Sequence, residues 1–66
     1  MLKEIVGVDA GFIWRLLDTK GILSIDQLIE MTEYREMYIH LALGWLLREN
    51  KIVFKEMDNN LYIELI

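Results

Sequence analysis

Apolar residues in the middle of the chain recur at spacings of three and four positions, which is the periodicity of an α-helix. The clearest case is YREMYIHLALGWLLRENK, residues 34–51, a stretch long enough for about four helical turns. Its apolar residues form two rows, one of Ile39, Ala42, Leu43 and Leu46 and the other of Tyr34, Tyr38, Leu41 and Trp45. A surface helix of a small globule needs only one apolar row. The second row must therefore pack on more of this chain, contact another molecule or lie against a ligand.

A shorter helical pattern precedes this stretch and ends at a glycine. Asp9 is a suitable N-cap, and Gly21 suits the left-handed residue that often ends a helix. The apolar residues between them share one face: Ala10, Ile13, Trp14 and Leu17. These positions predict a first helix over about residues 10–19. Residues 1–8 are left to form a short edge strand, an apolar arm on the body or on a neighbour, or a partly ordered terminus.

A second helix is predicted from a capping signal. Ser24 and Gln27 have the spacing of a capping box, in which a hydroxyl and a side-chain amide satisfy exposed backbone donors reciprocally. A helix is therefore expected over about residues 25–31, after a brief extended stretch at 22–24.

Beyond the long helix the pattern changes from helical spacing to alternation. Asn50 tolerates the left-handed conformation in which helices end. Residues 51–57 and 61–66 are rich in β-branched and aromatic side chains, and the cluster Asp58-Asn59-Asn60 between them favours a turn. This pattern predicts a β-hairpin. The alternation directs Leu61, Ile63 and Leu65 to the core, and Tyr62 and Glu64 to the outside.

The predicted order of elements is helix, short strand, helix, turn, helix and hairpin. We therefore predict an α+β fold that is mostly α, a winged helix-turn-helix with three helices, a short strand and a C-terminal β-hairpin wing. The chain has no repeat, low-complexity run or proline that would divide it. Residues 1–66 are expected to form a single domain.

Three blocks of the sequence carry a resemblance to known proteins. They are Ala10-Gly11 with Trp14, Leu17 and Gly21, then LALGWL at residues 41–46, and RENKI at residues 48–52. In these blocks the chain resembles a family of small bacterial and archaeal winged helix-turn-helix domains of unknown function. The match covers nearly the whole chain, and LALGWL is its most specific part. The chain departs from the family at Asn50, where members usually carry glycine.

The resemblance implies a fold and a small stand-alone domain, but no activity. By analogy with the wider winged-helix superfamily, it also implies which row of the third helix points inward: Ile39, Ala42, Leu43 and Leu46. The residues Tyr38, Leu41 and Trp45 would then occupy the face that DNA-binding relatives turn to the major groove.

Charge disfavours DNA as the partner of that face. The chain has seven basic and eleven acidic residues, a formal net charge of −4, whereas DNA affinity comes largely from Lys and Arg that neutralise phosphates. DNA binding therefore remains the alternative function, that of a transcriptional regulator. Its available contacts are Arg35, His40, Arg48, Lys51 and Lys55.

Protein association is the function that the sequence favours. Aromatic residues and Met are enriched in interface cores, and the chain is 55% hydrophobic, above the usual 45–50% or so. We expect a homodimer or a partner-protein complex through Tyr38, Leu41 and Trp45, since one self-complementary patch serves both subunits of a dimer. The third alternative is that Tyr38 and Trp45 only cover the chain's own wing or amino-terminal arm.

Catalysis, cofactors and metals find no support in the sequence. Cysteine is absent and His40 is the only histidine, which disfavours a metal site. No nucleophile–base pair or glycine-rich phosphate loop can be assembled, so we expect neither an enzyme nor a cofactor, and no small-molecule substrate is evident. The chain shows no secretory signal and no membrane-length apolar run, so a cytoplasmic location without a membrane partner is expected.

Overall fold

Three α-helices and a small antiparallel sheet make up the structure, a computed structural model that describes the backbone of residues 2–66 and the side chains of residues 4–66. The elements are α1 (Leu2–Lys20), β1 (Leu23–Ser24), α2 (Ile25–Thr32), α3 (Glu36–Arg48), β2 (Ile52–Met57) and β3 (Asn60–Leu65). The sheet has the strand order β1-β3-β2. This architecture confirms the mostly α winged helix-turn-helix that the sequence predicts.

The first helix begins much earlier than the sequence pattern indicates. We predicted a start at Asp9 as N-cap, but α1 already includes Leu2, so Asp9 lies inside the helix with only 8% of its surface exposed. The prediction of an edge strand or an arm is therefore wrong for residues 2–8, which are helical. Met1 lies outside the described residues.

Tertiary packing explains the extra turns of α1. Val6 is buried and continues the inner row that Ala10, Ile13 and Leu17 form at spacings of four, three and four. One glycine in these turns, Gly7, lowers intrinsic helix propensity at a cost of about 1 kcal/mol relative to alanine. Burial of an amphipathic face outweighs that cost, as is usual for helices in proteins.

The connection from α2 to α3 is a tight turn fixed by side-chain hydrogen bonds. The Thr32 hydroxyl donates to the Leu28 carbonyl at 2.7 Å and accepts from the Tyr34 amide at 3.1 Å. Glu33 adopts a left-handed φ of 59°, and its amide donates to the Ile29 carbonyl at 2.8 Å. The predicted capping box of Ser24 and Gln27 is also present at the start of α2. These local contacts set the angle at which α3 leaves α2.

The hairpin wing has the turn that its sequence predicts. Met57 pairs with Asn60, and the two residues between them, Asp58 and Asn59, have φ values of 52° and 65°. Two left-handed residues in a two-residue loop match the twist of antiparallel strands, and Asp and Asn tolerate that conformation.

The prediction for the inner face of β3 is correct at two of three positions. Ile63 is fully buried and Leu65 packs partly on the core, but Leu61 is 38% exposed. The prediction is wrong for Leu61 because it pairs with Glu56 near the free end of the hairpin, which extends beyond the core.

The core joins the inner rows of α1 and α3 to one residue from each strand and from α2. Its fully or nearly fully buried members are Ala10, Ile13, Leu17, Leu23, Leu28, Ile39, Ala42, Leu43, Leu46, Ile52 and Ile63. Helix α1 packs mainly on α3. The third helix is shorter than the stretch 34–51 from which it was predicted, but its inner row is buried as expected.

Asp9 and Tyr34 meet where α1 passes the start of α3. Burial raises the pKa of the Tyr34 phenol above its ordinary value of 10.0, and the Asp9 carboxylate beside it raises that pKa further. The Tyr34 ring also lies against Phe12, with ring centroids 6.2 Å apart. The turn before α3 is thus tied to the middle of α1.

We predict that Tyr34 makes the fold sensitive to alkaline pH. Because the folded chain holds the phenol proton more tightly than the unfolded chain, this stabilisation is complete below the unfolded pKa and is lost as pH rises through the folded one. The free energy of unfolding should therefore fall between about pH 9 and about pH 11, and fall less in Tyr34→Phe. Chemical denaturation of the wild type and of Tyr34→Phe at both pH values measures this change in the free energy of unfolding. In Asp9→Asn the pKa of Tyr34, read from the phenolate absorbance that Tyr34→Phe removes, should fall below its wild-type value; an unchanged titration curve would contradict the role of Asp9.

Candidate functional site

The side of α3 that points away from the core carries the residues of the candidate site. Each is three or four residues along the helix from another member of the set, so they share a face. We call this set the outer face of α3: Met37, Tyr38, Leu41, Gly44, Trp45 and Arg48. The inner row fixes its orientation, since Ile39 and Ala42 are fully buried.

The three predicted interface residues differ in how far their own chain covers them. Leu41 is 39% exposed, and Met37 one turn earlier is 56% exposed. Tyr38 and Trp45 are half-buried. A Cβ added at Gly7 would lie 3.7 Å from the Trp45 ring, so α1 shields part of that indole. The outer face is thus apolar and accessible at its centre, and the Trp45 ring lies at the margin nearer α1.

Gly44 leaves an open space at the centre of the outer face. It is exposed, and a Cβ added there would meet no described atom within 4 Å apart from its own helix and chain neighbours. A glycine inside a helix costs about 1 kcal/mol relative to alanine. No packing within the described part of the chain requires that cost.

Charged residues of both signs stand at each end of α3, with Arg35 and Glu36 at its start and Arg48 and Glu49 at its end. Glu36 lies in the first turn of α3 and Arg48 in the last. Each sign complements the helix dipole at its end. Both side chains are exposed, which leaves them able to contact another molecule.

One of the predicted DNA contacts is paired with a carboxylate. Arg35, His40, Arg48 and Lys51 are exposed, but Lys55 on the wing lies 2.7 Å from the Glu64 carboxylate, Nζ to Oε1. The wing therefore offers a neutralised lysine where a DNA-binding wing needs free positive charge.

A cleft between α1 and the end of α3 was not anticipated from the sequence. It has a volume of 370 Å³ and is lined by Gly7, Ala10, Gly11, Trp14, Arg15, Trp45, Leu46, Glu49 and Lys51. The signal that could have revealed it is the pair Gly7 and Gly11, four residues apart on one side of a helix. That signal was hidden because residues 1–8 were not predicted to be helical.

Metal and membrane sites find no support in the described residues. No group of three or more histidine, cysteine or carboxylate side chains among them could hold a metal ion. None of the described helices has the length and apolar content needed to cross a bilayer.

These features define the class of protein. A tight turn between α2 and α3, with a hairpin that follows α3 and pairs with the strand before α2, is the architecture of a winged helix-turn-helix domain. The family model described as winged helix-turn-helix domain (DUF2582) matches residues 1–65. The chain belongs to that family.

Two similar proteins extend the comparison to an archaeon and a bacterium. The uncharacterized protein MJ1608 of Methanocaldococcus jannaschii is 32% identical over 62 residues, which span 91% of this chain and 89% of that protein. The solution NMR structure of protein BT2368 from Bacteroides thetaiotaomicron is 35% identical, with a TM-score of 0.87 over 98% of this chain and 79% of that one. The names of these two proteins state no activity.

Proposed function

We propose that this domain acts in protein association without catalysis, and that the outer face of α3 binds the same face of a second copy. The observation that carries this proposal is the exposed apolar centre of that face, Leu41 and Met37 beside Gly44, in a helix whose inner row already fills the core. Apolar area left in water on a rigid helix gains about 25 cal/mol per Å² when a partner covers it. Winged helix-turn-helix domains are typically non-enzymatic, which agrees with such a role.

The spacing of Leu41 and Gly44 makes the face complementary to itself. If two copies of α3 cross antiparallel about a twofold axis between these positions, Leu41 of each copy meets Gly44 of the other. A leucine side chain then fills the space that the glycine leaves. A twofold interface uses one patch twice, so a single knob and a single hole suffice.

The area of the outer face of α3 sets the expected affinity of the dimer. A stable interface buries about 800 Å² on each partner, roughly a sixth of the 4766 Å² that this chain exposes. One helix of 13 residues lies at the lower end of that scale. We therefore expect a reversible dimer with a dissociation constant on the order of 10 µM.

We predict that Leu41→Ser weakens the dimer and leaves the fold intact. Each dimer loses two leucine contacts, so the dissociation constant should rise at least about tenfold. Sedimentation equilibrium across concentrations around 10 µM or so measures the change. Leu47→Ser is the matched control, because Leu47 is 47% exposed on the same helix but outside the outer face.

Two results would overturn the proposed dimer. One is a wild-type mass that stays monomeric at concentrations well above the expected dissociation constant. The other is an equal loss of association in the Leu41 and Leu47 variants, which would indicate unspecific hydrophobic contact. Far-ultraviolet circular dichroism of both variants checks that the helices remain.

We predict no specific binding to duplex DNA, the alternative function. With Lys55 paired to Glu64 and a net charge of −4, few phosphates can be neutralised. Fluorescence anisotropy with a labelled duplex at about 50 mM salt should show no saturable binding. Saturable binding that weakens steeply with salt, and that Arg48→Gln reduces, would support a DNA-binding regulator instead.

A further inference from the structure

We infer that the cleft between α1 and the end of α3 binds a planar aromatic carboxylate. Its volume of 370 Å³ falls in the range of about 300–1,000 Å³ that small-molecule pockets occupy. Both tryptophans of the chain, Trp14 and Trp45, line it, and both are half-buried. The cleft is thus sized for a ligand of one or two rings.

The tryptophans and glycines account for the planar aromatic part of the ligand. Aromatic rings stack or pack edge-to-face on indoles, with a gain beyond the area they bury. On the α1 side the cleft is lined by Gly7, Ala10 and Gly11. A Cβ added at Gly11 would meet no described atom within 4 Å outside its own helix. A flat ring can therefore lie close to the α1 backbone there.

The charged residues of the cleft account for the carboxylate. Arg15 and Lys51 line it together with a single acid, Glu49, which gives a local excess of positive charge in a chain whose net charge is −4. Neither cation forms an ion pair with a described carboxylate, whereas Lys55 pairs with Glu64. An arginine with free donors suits the two oxygens of a carboxylate.

This inference is separate from the proposed dimer, although Trp45 belongs to both surfaces. Gly11, Trp14 and Arg15 lie on α1 and take no part in the outer face of α3. The Leu41→Ser chain should therefore bind the ligand as the wild type does, so either proposal can fail while the other stands.

Nuclear magnetic resonance gives a direct test because the chain has just two indole N–H signals. Indole-3-acetate is titrated into the nitrogen-labelled full chain. Indole-3-acetamide is the neutral control, and cyclohexanecarboxylate is the control that has the charge without the planar ring. We expect indole-3-acetate to shift both indole signals with a dissociation constant on the order of 1 mM. Both controls should bind at least about fivefold more weakly.

Variants separate the cleft from the fold. In Gly11→Leu the new side chain occupies space in the cleft that no described atom fills. The unfolding temperature should not fall, because leucine has a higher helix propensity than glycine. The affinity for indole-3-acetate should fall about tenfold. Arg15→Gln should reduce the preference for the acid over the amide to about twofold and leave amide binding unchanged. The matched control is Lys20→Gln, because Lys20 is exposed at the end of α1 and does not line the cleft.

Three outcomes would overturn this inference. The first is equal affinity for indole-3-acetate and indole-3-acetamide, since the cations would then contribute nothing. The second is the absence of indole shifts up to about 10 mM ligand, ten times the expected dissociation constant. The third is a folded Gly11→Leu chain with unchanged affinity, because the ligand would then bind elsewhere.

Discussion

The contact between the inner rows of α1 and α3 is the constraint on which the rest of the structure depends. Ala10, Ile13 and Leu17 on one helix and Ile39 and Ala42 on the other are almost completely buried. With no disulfide available, this packing must supply most of the stability of a 66-residue chain. It also fixes the rotation of α3 about its axis. That rotation decides which side chains remain in water.

The sequence predicts the elements with local signals far better than it predicts the first helix. The capping box at Ser24, the left-handed Asn50 and the turn at residues 58–59 all act within a few residues, and each is present. The start of α1 has no such signal. Asp9 resembles an N-cap and two glycines flank it, yet its burial beside Tyr34 places it within the helix. The packing of α1 against α3 decides where α1 starts. The spacing of apolar residues along the sequence carries no information about that contact.

The same limit explains which parts of the candidate sites were visible. The outer face of α3 follows from spacing along one helix, so Tyr38, Leu41 and Trp45 could be selected from sequence alone. The cleft could not, because it joins α1 to the end of α3 and depends on a helix start that was misplaced. The exposure of Trp45 likewise depends on two elements, because α1 covers part of its ring. The spacing of residues along α3 alone does not predict that exposure.

An exposed leucine requires no explanation by itself, because apolar atoms make up about half of any protein surface. The outer face of α3 differs because two independent features coincide there. Leu41 and Met37 are exposed, and Gly44 beside them lacks a packing reason among the described residues. Neither feature contributes to the core, which the inner row of α3 helps to fill. The proposed contact with a second copy of the chain would give both features one physical cause.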